Sequence, residues 1–236
     1  MIPAETLEAT FPAAKPESRL VAIAAPQSSA AEQYRVLLRR LDALAQRRPM
    51  RVVAVTSGSR GEGRTTTAAN LALTAAREGR PTLLVDGDLR RPSLAVLFDL
   101  VPRAGLAEVV AGTAELSEAI VRAGPLAVLC AGEVRDPVAT LRDARLATTV
   151  ESLRAAYALV VIDAPPALSF LDGDRLAAAT DGALLVVRAQ STPRAVVKLA
   201  ADALGERVAG IVLNAVDAAA TVHGRWLFAD ADARAG

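Results

Sequence analysis

The sequence has too few of several residue types to build some common functional sites. One cysteine, Cys130, occurs among its 236 residues, which excludes a disulfide framework and a cysteine-ligated zinc site. The one histidine, His223, excludes histidine-rich metal sites and any mechanism that needs two histidines. The 27 basic side chains are nearly balanced by 26 acidic ones, so the chain lacks the net basic field that a nucleic-acid-binding protein requires.

Lysine, tyrosine and long apolar runs are scarce as well. The lysines are Lys15 and Lys198, so arginine supplies nearly all the positive charge, and the two tyrosines are Tyr34 and Tyr157. No stretch has about 18 uninterrupted apolar residues, and no basic region precedes an apolar segment at the N-terminus. We therefore expect no membrane-spanning helix and no secretory signal, as in a cytoplasmic protein.

Hydrophobic residues are abundant, at 52%, and they fall into short runs between stretches with helical spacing. The runs that suit buried parallel strands are Val52–Thr56, Thr82–Asp86, Leu126–Cys130, Leu159–Asp163, Ala183–Val187 and Gly210–Asn214. The helical stretches are about residues 30–47, 64–79, 104–111, 115–123, 138–156, 173–180 and 193–204. This alternation predicts an α/β fold with a mostly parallel central sheet and helices on both faces.

The ends of the chain differ in composition from its middle. Residues 1–27 contain four prolines and are expected to form an extended N-terminal arm, in which the apolar run Leu20–Ala25 fits a strand. Residues 28–216 are expected to form the folded domain. Residues 217–236 are rich in alanine and aspartate and predict a loosely packed C-terminal tail without tyrosine.

A glycine-rich loop follows the first strand of the domain, in residues 56–67, TSGSRGEGRTTT. The P-loop pattern is G-x-x-x-x-G-K-[ST], and Gly58, Gly63 and Thr65 occupy their places while Arg64 stands at the lysine position. Backbone N–H groups of such a loop, with the helix N-terminus that follows it, bind phosphate, and the threonine hydroxyl serves Mg²⁺. A planar guanidinium is larger than an ammonium, so phosphate contacts through Arg64 would have a different geometry.

Two further strands end in aspartates. Asp86 and Asp88 close the second strand of the domain, and Asp163 closes the run 159–163, in the manner of a Walker B strand. Ligands of parallel sheets bind beyond the carboxyl ends of the strands, so these carboxylates are expected beside the glycine loop. The last run ends in Asn214, whose carboxamide suits either an adenine edge or a turn.

Together these residues resemble the bacterial tyrosine kinase family, the P-loop kinases of capsule and exopolysaccharide assembly, over about residues 30–216. The most specific match is Asp86–Pro92, DGDLRRP, and VIDAPP at Val161–Pro166 and GIVLNAV at Gly210–Val216 are also similar. The near relatives of this kinase domain are MinD- and ParA-like ATPases, but the D-x-D-L-R-x-P segment points to the kinase branch.

The resemblance implies ATP and Mg²⁺ as cofactors and transfer of phosphate to tyrosine. Carried over by position, the nucleotide-binding residues would be Gly58, Gly61, Glu62, Gly63, Arg64, Thr65, Thr66 and Asn214. The Mg²⁺ ligands would be Thr65, Asp86 and Asp163, and the catalytic residues would be Arg64, Asp86 and Asp88. The resemblance also implies a separate membrane protein as partner, a Wzz-like chain-length regulator that would recruit the chain to the inner face of the membrane.

The sequence departs from the family pattern at three places. Arg64 replaces the loop lysine. No tyrosine follows Tyr157, so the phosphorylated tyrosine is expected on another chain. In the family's oligomerisation helix, E-x-x-R-x-x-R, Glu32 and Arg35 match, but Arg39 comes one residue late, which is about 100° around a helix. The sequence is still compatible with a homo-oligomer, but ring assembly through this helix is not expected.

Three functions are compatible with these residues. The first is an active kinase that phosphorylates a partner. The second is a pseudokinase, a scaffold that regulates polysaccharide export through its membrane partner, which the altered loop favours. The third is a MinD/ParA-like switch that dimerises with nucleotide and hydrolyses ATP without labelling protein.

Overall fold

The computed structural model describes residues 8–9, 19–171 and 175–216, and its centre is an eight-stranded sheet. The strands are β1 (Glu8–Ala9), β2 (Val52–Ser57), β3 (Thr82–Asp86), β4 (Ile120–Ala123), β5 (Leu126–Leu129), β6 (Leu159–Asp163), β7 (Gly182–Arg188) and β8 (Val208–Asn214). Their order across the sheet is β1-β4-β5-β3-β6-β2-β7-β8. All neighbouring strands pair in parallel except β4 and β5, which form an antiparallel pair.

Helices connect the strands and cover the sheet. They are α1 (Val21–Ala24), α2 (Ser29–Ala45), α3 (Arg64–Arg77), α4 (Leu94–Leu97), α5 (Leu106–Ala111), α6 (Leu116–Ala119), α7 (Pro137–Arg142), α8 (Arg145–Ala156), α9 (Ala167–Leu171), α10 (Arg175–Ala178) and α11 (Arg194–Leu204). A short 3₁₀ turn, Gly205–Arg207, leads into β8. Within the described ranges, none of these helices has the length and apolar character needed to cross a membrane.

The inner strands are buried on both faces, and successive residues of each strand point to opposite faces of the sheet. Val53 and Val55 of β2 pack in one apolar cluster with α2 and α3, and Val52 and Ala54 pack in the other with α8. The inner strands therefore read as continuous apolar runs, and their polar residues fall at the carboxyl ends, where the sheet stops.

The α/β fold and the six predicted strands are confirmed. Each predicted apolar run coincides with a strand, from β2 to β8, and the predicted helices at 30–47, 64–79, 104–111 and 193–204 correspond to α2, α3, α5 and α11. The tail at 217–236 and residues 1–7 and 10–18 of the arm lie outside the described residues. The domain boundaries at 28 and 216 stay predictions.

Three local predictions were wrong. The run Leu20–Ala25 does not form a strand, because residues 21–24 form α1 and Leu20 joins the core under α3. The predicted helix 115–123 ends at Ala119, and Ile120–Ala123 form β4, which pairs with β5. The predicted helix 138–156 is two helices, which Asp143 separates with an extended backbone at φ −63° and ψ 138°.

Asp181 links the start of β2 to Arg154 of α8, and its removal should destabilise the fold. Its carboxylate accepts hydrogen bonds from the backbone N–H groups of Arg51 and Val52 at 2.7 and 2.8 Å and pairs with Arg154 at 2.7 Å. Asp181→Ala would leave these donors without their acceptor, so we expect the free energy of unfolding to fall by about 2–4 kcal/mol. Chemical denaturation measures this.

A matched control is Asp202→Ala on the surface of α11. Asp202 pairs with Lys198 at 2.5 Å, and both side chains are mostly exposed. Such surface pairs contribute about 0–1 kcal/mol, so this variant should unfold almost as the wild type does. Equal losses of stability in the two variants would contradict the role given to Asp181.

Candidate nucleotide site

The glycine loop lies where the sequence predicted it, between the end of β2 and the start of α3. Gly63 is the N-cap residue of α3 and has a φ of +91°, a left-handed conformation that favours glycine. A Cβ at this position would also lie 2.0 Å from Nδ2 of Asn214. Gly61, at the tip, has a φ of +78°, and Gly58 lies against Val196 of α11. A side chain would therefore clash at Gly58 and Gly63, and the positive φ angles favour glycine at Gly61 and Gly63.

Glu62, which the resemblance assigned to nucleotide binding, instead forms a hydrogen bond within the loop. Glu62 is 4% exposed, and its Oε1 accepts a hydrogen bond from the backbone N–H of Ser59 at 3.1 Å. Burial raises the pKa of this carboxyl. Asn214, assigned to the adenine edge, donates from Nδ2 to the carbonyl of Glu62 at 2.9 Å. Both side chains therefore hold the loop in place, and contact of Asn214 with adenine stays a prediction.

Arg64, at the lysine position of the loop, forms an ion pair with an acidic residue that follows β3. Its Nη2 lies 3.3 Å from Oδ2 of Asp88, and both side chains are 12% exposed. Its Nη1 is buried and has no hydrogen-bond partner among the described residues. Burial lowers the pKa of the guanidinium, while Asp163 and Asp88 act in the opposite direction. The Nη2 group of Arg64 therefore pairs with Asp88, and its Nη1 group is available as a donor to a ligand.

The two acidic strand ends meet beside the loop. Asp86 and Asp163 are direct partners in the register of β3 and β6, and both are buried. The hydroxyl of Thr65, in the first turn of α3, donates to Oδ2 of Asp163 at 2.6 Å. Thr66 is the next residue of the helix, and its carbonyl accepts from Asn70 at 2.9 Å. The predicted set from β2, β3 and β6 is therefore assembled at one edge of the sheet.

Asp86 uses one carboxylate oxygen for structure and leaves the other free. Its Oδ2 accepts from the backbone N–H groups of Ser93 and Leu94, both at 2.9 Å. Its Oδ1 is buried and has no hydrogen-bond partner in the described part of the chain. An orphaned buried oxygen of this kind has a high desolvation cost unless a ligand, metal or water meets it.

The sequence missed two residues that shape the site. Ser93 donates its backbone N–H to Asp86, and its hydroxyl lies 3.3 Å from the hydroxyl of Thr65. Arg188, at the end of β7, donates to the carbonyl of Gly61 at 3.2 Å. The position of Arg188 directly after an apolar run was a usable signal. No local pattern marks Ser93, because its role comes from the loop that folds back over β3.

The carboxyl groups of the site predict a loss of stability as the pH rises. Burial raises the pKa of Asp86 to about 6 and that of Asp163 to about 7, from an ordinary value of 3.8. Between these values the folded protein binds more protons than the unfolded chain, so the free energy of unfolding falls with increasing pH. We expect the nucleotide-free protein to unfold several degrees lower at about pH 8 than at about pH 5.

Asp163→Asn provides the control for this pH dependence, because an asparagine does not titrate. The variant should lose part of the decrease in Tm between about pH 5 and about pH 8. Thermal unfolding followed by circular dichroism in a pH series measures both proteins. A variant with the same pH profile as the wild type would show that Asp163 ionises normally in the folded state.

Known proteins are similar to this chain in sequence. An AAA domain family matches residues 50–199, which include the loop and both acidic strand ends. The tyrosine-protein kinase YwqD of Bacillus subtilis is 31% identical over 204 residues, which cover 84% of this chain and 86% of YwqD. The succinoglycan biosynthesis transport protein ExoP of Rhizobium meliloti is 32% identical over 209 residues, which cover 85% of this chain and 26% of ExoP.

Solved structures are similar over most of the chain. The kinase domain of the Escherichia coli tyrosine kinase ETK has a TM-score of 0.79 at 26% identity, over 89% of this chain and 90% of that domain. The septum site-determining protein MinD of Pyrococcus horikoshii, complexed with Mg-ADP, has a TM-score of 0.59 at 26% identity, over 70% of each chain. Since loop, acidic strand ends, fold and relatives agree, this chain belongs to the bacterial tyrosine kinase family and has a MinD-like P-loop fold.

Proposed function

We propose that this chain is an ATP-dependent protein-tyrosine kinase of exopolysaccharide or capsule biosynthesis that phosphorylates another chain. The observation that carries the proposal is the convergence of three strand ends on one point. Thr65 lies 2.6 Å from Asp163, Arg64 lies 3.3 Å from Asp88, and Asp86 stands next to Asp163 in the sheet. Catalysis of phosphoryl transfer is mainly positioning and electrostatic stabilisation, which such a set can supply.

The site has the chemistry to bind ATP. The buried Nη1 of Arg64 has no partner in the described part of the chain, and a phosphate oxygen would satisfy it. The glycine loop and the start of α3, a helix of 14 residues, direct backbone N–H groups and a partial positive charge to the same place. Gly58, Gly61 and Gly63 would form the cradle.

The same edge of the sheet fits Mg²⁺. This ion prefers oxygen ligands and commonly binds through one or two carboxylates together with substrate phosphates. Thr65 and Asp163 would hold it, and the unpartnered oxygen of Asp86, predicted from the sequence as a third ligand, is assigned to the acceptor instead. The described residues contain no group of three or more His, Cys, Asp or Glu able to hold a metal. The phosphates of the nucleotide would therefore supply part of the ligand shell. When bound, the ion would neutralise charge on the outer phosphates.

Asp86 would serve the acceptor as a base. In the transfer, the acceptor oxygen forms a bond to the γ-phosphorus, and the bond between the γ-phosphorus and the bridging oxygen of the β-phosphate breaks. ADP is the leaving group. The acceptor hydroxyl gives up its proton. A carboxylate with a pKa near the operating pH is an effective base. Burial raises the pKa of Asp86 to about 6, and its Oδ1 is free to take that proton.

Neither tyrosine of this chain lies at the site, which supports an acceptor on another chain. Tyr157 follows α8 and precedes β6, so it lies at the amino end of the sheet, opposite the site. Tyr34 lies in α2, packs against the core, and has its pKa raised by burial. Residues 217–236 contain no tyrosine.

The proposed partner is a Wzz-like membrane protein that recruits the kinase to the inner face of the membrane. ExoP, whose name refers to succinoglycan biosynthesis and transport, is much longer than this chain.

Arg39, the residue that departs from the oligomerisation pattern, pairs with Glu78 beyond the end of α3 at 3.8 Å. Both residues are exposed, so the proposal that any homo-oligomer forms by another surface rests on the shifted position of Arg39 in the sequence alone.

Two other functions have an observation in their favour. The ion pair between Arg64 and Asp88 occupies two residues of the catalytic set, which favours a pseudokinase scaffold. The similarity to MinD favours a switch that hydrolyses ATP and dimerises.

Labelled ATP separates the three functions. The purified chain is incubated with Mg²⁺ and ATP labelled in the γ-phosphate, with the acidic copolymer poly(Glu,Tyr) or the cytoplasmic segment of a membrane partner. A kinase should yield phosphotyrosine in the acceptor. Release of free phosphate without labelled protein, with an ATP-dependent dimer in light scattering, would identify the switch. ATP binding with neither product would identify the scaffold and refute the kinase.

A further inference from the structure

The last strand, β8, forms an edge of the sheet that carries no charge. It pairs with β7 and is the final strand in the sheet order, so its other side has no neighbouring strand among the described residues. Residues 208–216, VAGIVLNAV, contain neither a charged side chain nor a proline. Proteins usually protect an edge strand with charges, with proline or with a covering segment, because its free backbone groups pair readily with another chain. Of these three, only a covering segment can protect β8.

Two large apolar side chains of β8 are exposed on the same face of the sheet. Ile211 and Leu213 are each 57% exposed. In the register of the two strands they lie beside Leu185 and Val187 of β7, which belong to a buried core cluster. Helix α11 packs against β7 and contributes two buried residues to the same cluster. This face of the sheet is therefore covered at β7 and open at the outer side chains of β8.

The chain that continues from β8 contains residues that could cover this face. The described residues end at Val216, two residues after β8, and the apolar residues 226–228, WLF, begin ten residues later. Ten residues span at most about 36 Å, which far exceeds the roughly 7 Å between Ile211 and Leu213 along the strand. The two aromatic residues of this segment are also two positions apart, so in an extended segment both would point to one face.

The charges beside these apolar residues give the segment a direction. At the amino end of β8, Arg207 is exposed, and Arg48 donates to two backbone carbonyls at 3.1 and 3.3 Å. Glu206 is the acidic neighbour there, so this end of the strand is net positive. In the C-terminal tail, Asp230 and Asp232 follow the apolar residues. Only an antiparallel segment brings these aspartates to the arginines while its aromatic residues cover the exposed face.

We propose that residues 226–232 of this same chain dock along the free edge of β8 as an antiparallel strand. Trp226 would lie beside Leu213 and Phe228 beside Ile211, and the two aspartates would face the arginines. Backbone groups of the segment would pair with the free N–H and C=O groups of β8, as in other cases of strand addition to a sheet edge. Docking at this edge is independent of the proposed kinase function.

Trp226 is the single tryptophan of the chain, so its fluorescence reports the docking directly. In the full chain we expect blue-shifted emission and weak quenching by acrylamide, as for a buried indole. Ile211→Ser and Phe228→Ser should each raise the quenching constant about twofold or more, because each removes an apolar side chain that holds the segment on β8. Ile211 is mostly exposed, and Phe228→Ser changes only the tail, so the domain should stay folded.

Val101→Ser is the control, since Val101 is 90% exposed and follows α4, far across the sheet from β8. Its quenching constant should equal that of the wild type. Equal constants in the wild type and both other serine variants would overturn the docking, and so would a wild-type constant as high as in urea. An increase in Phe228→Ser without one in Ile211→Ser would place the segment on another surface.

Disulfide formation tests the direction of the segment and its origin. The double variant Ile211→Cys with Phe228→Cys should form an internal disulfide under mild oxidation, followed by mass spectrometry and a non-reducing gel. It should close several times faster than Leu213→Cys with Phe228→Cys, the pair that a parallel segment would bring together. The native Cys130 is 1% exposed and should not compete.

The products of this oxidation decide the remaining alternatives. Faster closure of the pair with Leu213→Cys would overturn the antiparallel direction. A disulfide-linked dimer as the main product would place the segment on a second copy and overturn docking within one chain. Free thiols in both double variants would overturn the assignment to β8.

Discussion

Replacing Asp86 by asparagine is expected to lower phosphoryl transfer by about 10²- to 10⁴-fold, the usual contribution of a positioned general base. An asparagine oxygen can still accept the hydrogen bonds from Ser93 and Leu94 that close the loop over β3. The amide nitrogen would then take the place of the free oxygen, and it cannot accept a proton from the acceptor hydroxyl. The loss should therefore appear in kcat without unfolding of the site.

The measurement is the initial rate of phosphotyrosine formation at saturating ATP. The Kd for ATP in the absence of Mg²⁺ controls for damage to the glycine loop and should be nearly unchanged. Asp136→Asn, which changes an exposed helix cap far along the chain, controls for the loss of one negative charge. A kcat equal to that of the wild type for Asp86→Asn would remove Asp86 from the mechanism.

Replacing Arg64 by alanine is expected to weaken ATP binding by about 10- to 100-fold. Hydrogen bonds to charged groups contribute about 1.5–3 kcal/mol, and the buried guanidinium is the cation of the loop closest to the acidic set. Asp88 would also lose its ion-pair partner at 12% exposure, so some loss of stability accompanies the loss of affinity. Titration with a fluorescent ATP analogue and thermal unfolding measure the two effects separately.

Arg77→Ala is the matched control for this variant. Arg77 is the last residue of the same helix, is exposed, and lies at the end remote from the loop. We expect its Kd for ATP to equal that of the wild type. If the two alanine variants bind ATP equally well, Arg64 does not contact the phosphates.

Arg64→Lys then distinguishes the kinase from the pseudokinase. An ammonium is a compact charge without the planar fork of a guanidinium, so it cannot contact Asp88 and a phosphate in the same geometry. In an active kinase adapted to arginine, the lysine variant should transfer phosphate more slowly than the wild type. A gain of transfer on this substitution would instead show that the arginine is what keeps the wild type inactive.

The sequence alone was sufficient to predict which residues lie at the carboxyl ends of the strands. The loop from Gly58 to Thr65 and the carboxylates Asp86 and Asp163 each follow an apolar run, and parallel strands bring their carboxyl ends to one edge. Local periodicity was equally sufficient for the six predicted strands. Five of them, β2, β3, β5, β6 and β7, are inner strands, and a strand buried on both faces needs a continuous apolar run. The sixth, β8, is a half-exposed edge strand with a run of the same kind.

Local patterns were insufficient where a short apolar segment is compatible with both a helix and a strand. Ile120–Ala123 was predicted as the end of a helix, but the backbone groups of β5 offer it an antiparallel partner, and it becomes β4. Leu20–Ala25 was predicted as a strand, but Asn70 of α3 accepts a hydrogen bond from the backbone of Ala22 at 3.0 Å, and the segment folds as α1. Tertiary partners decided both cases over intrinsic preference.

The sequence by itself determined which residues reach the active edge of the sheet: a glycine loop with arginine in place of lysine, two acidic strand ends, and no tyrosine beside them. Only the tertiary structure decided how those residues are used. It paired Arg64 with Asp88, joined Glu62 and Asn214 to the glycine loop by hydrogen bonds, and left one buried oxygen of Asp86 without a hydrogen-bond partner among the described residues. These contacts join residues far apart in the chain, so they depend on strand order and register, which no local spacing encodes.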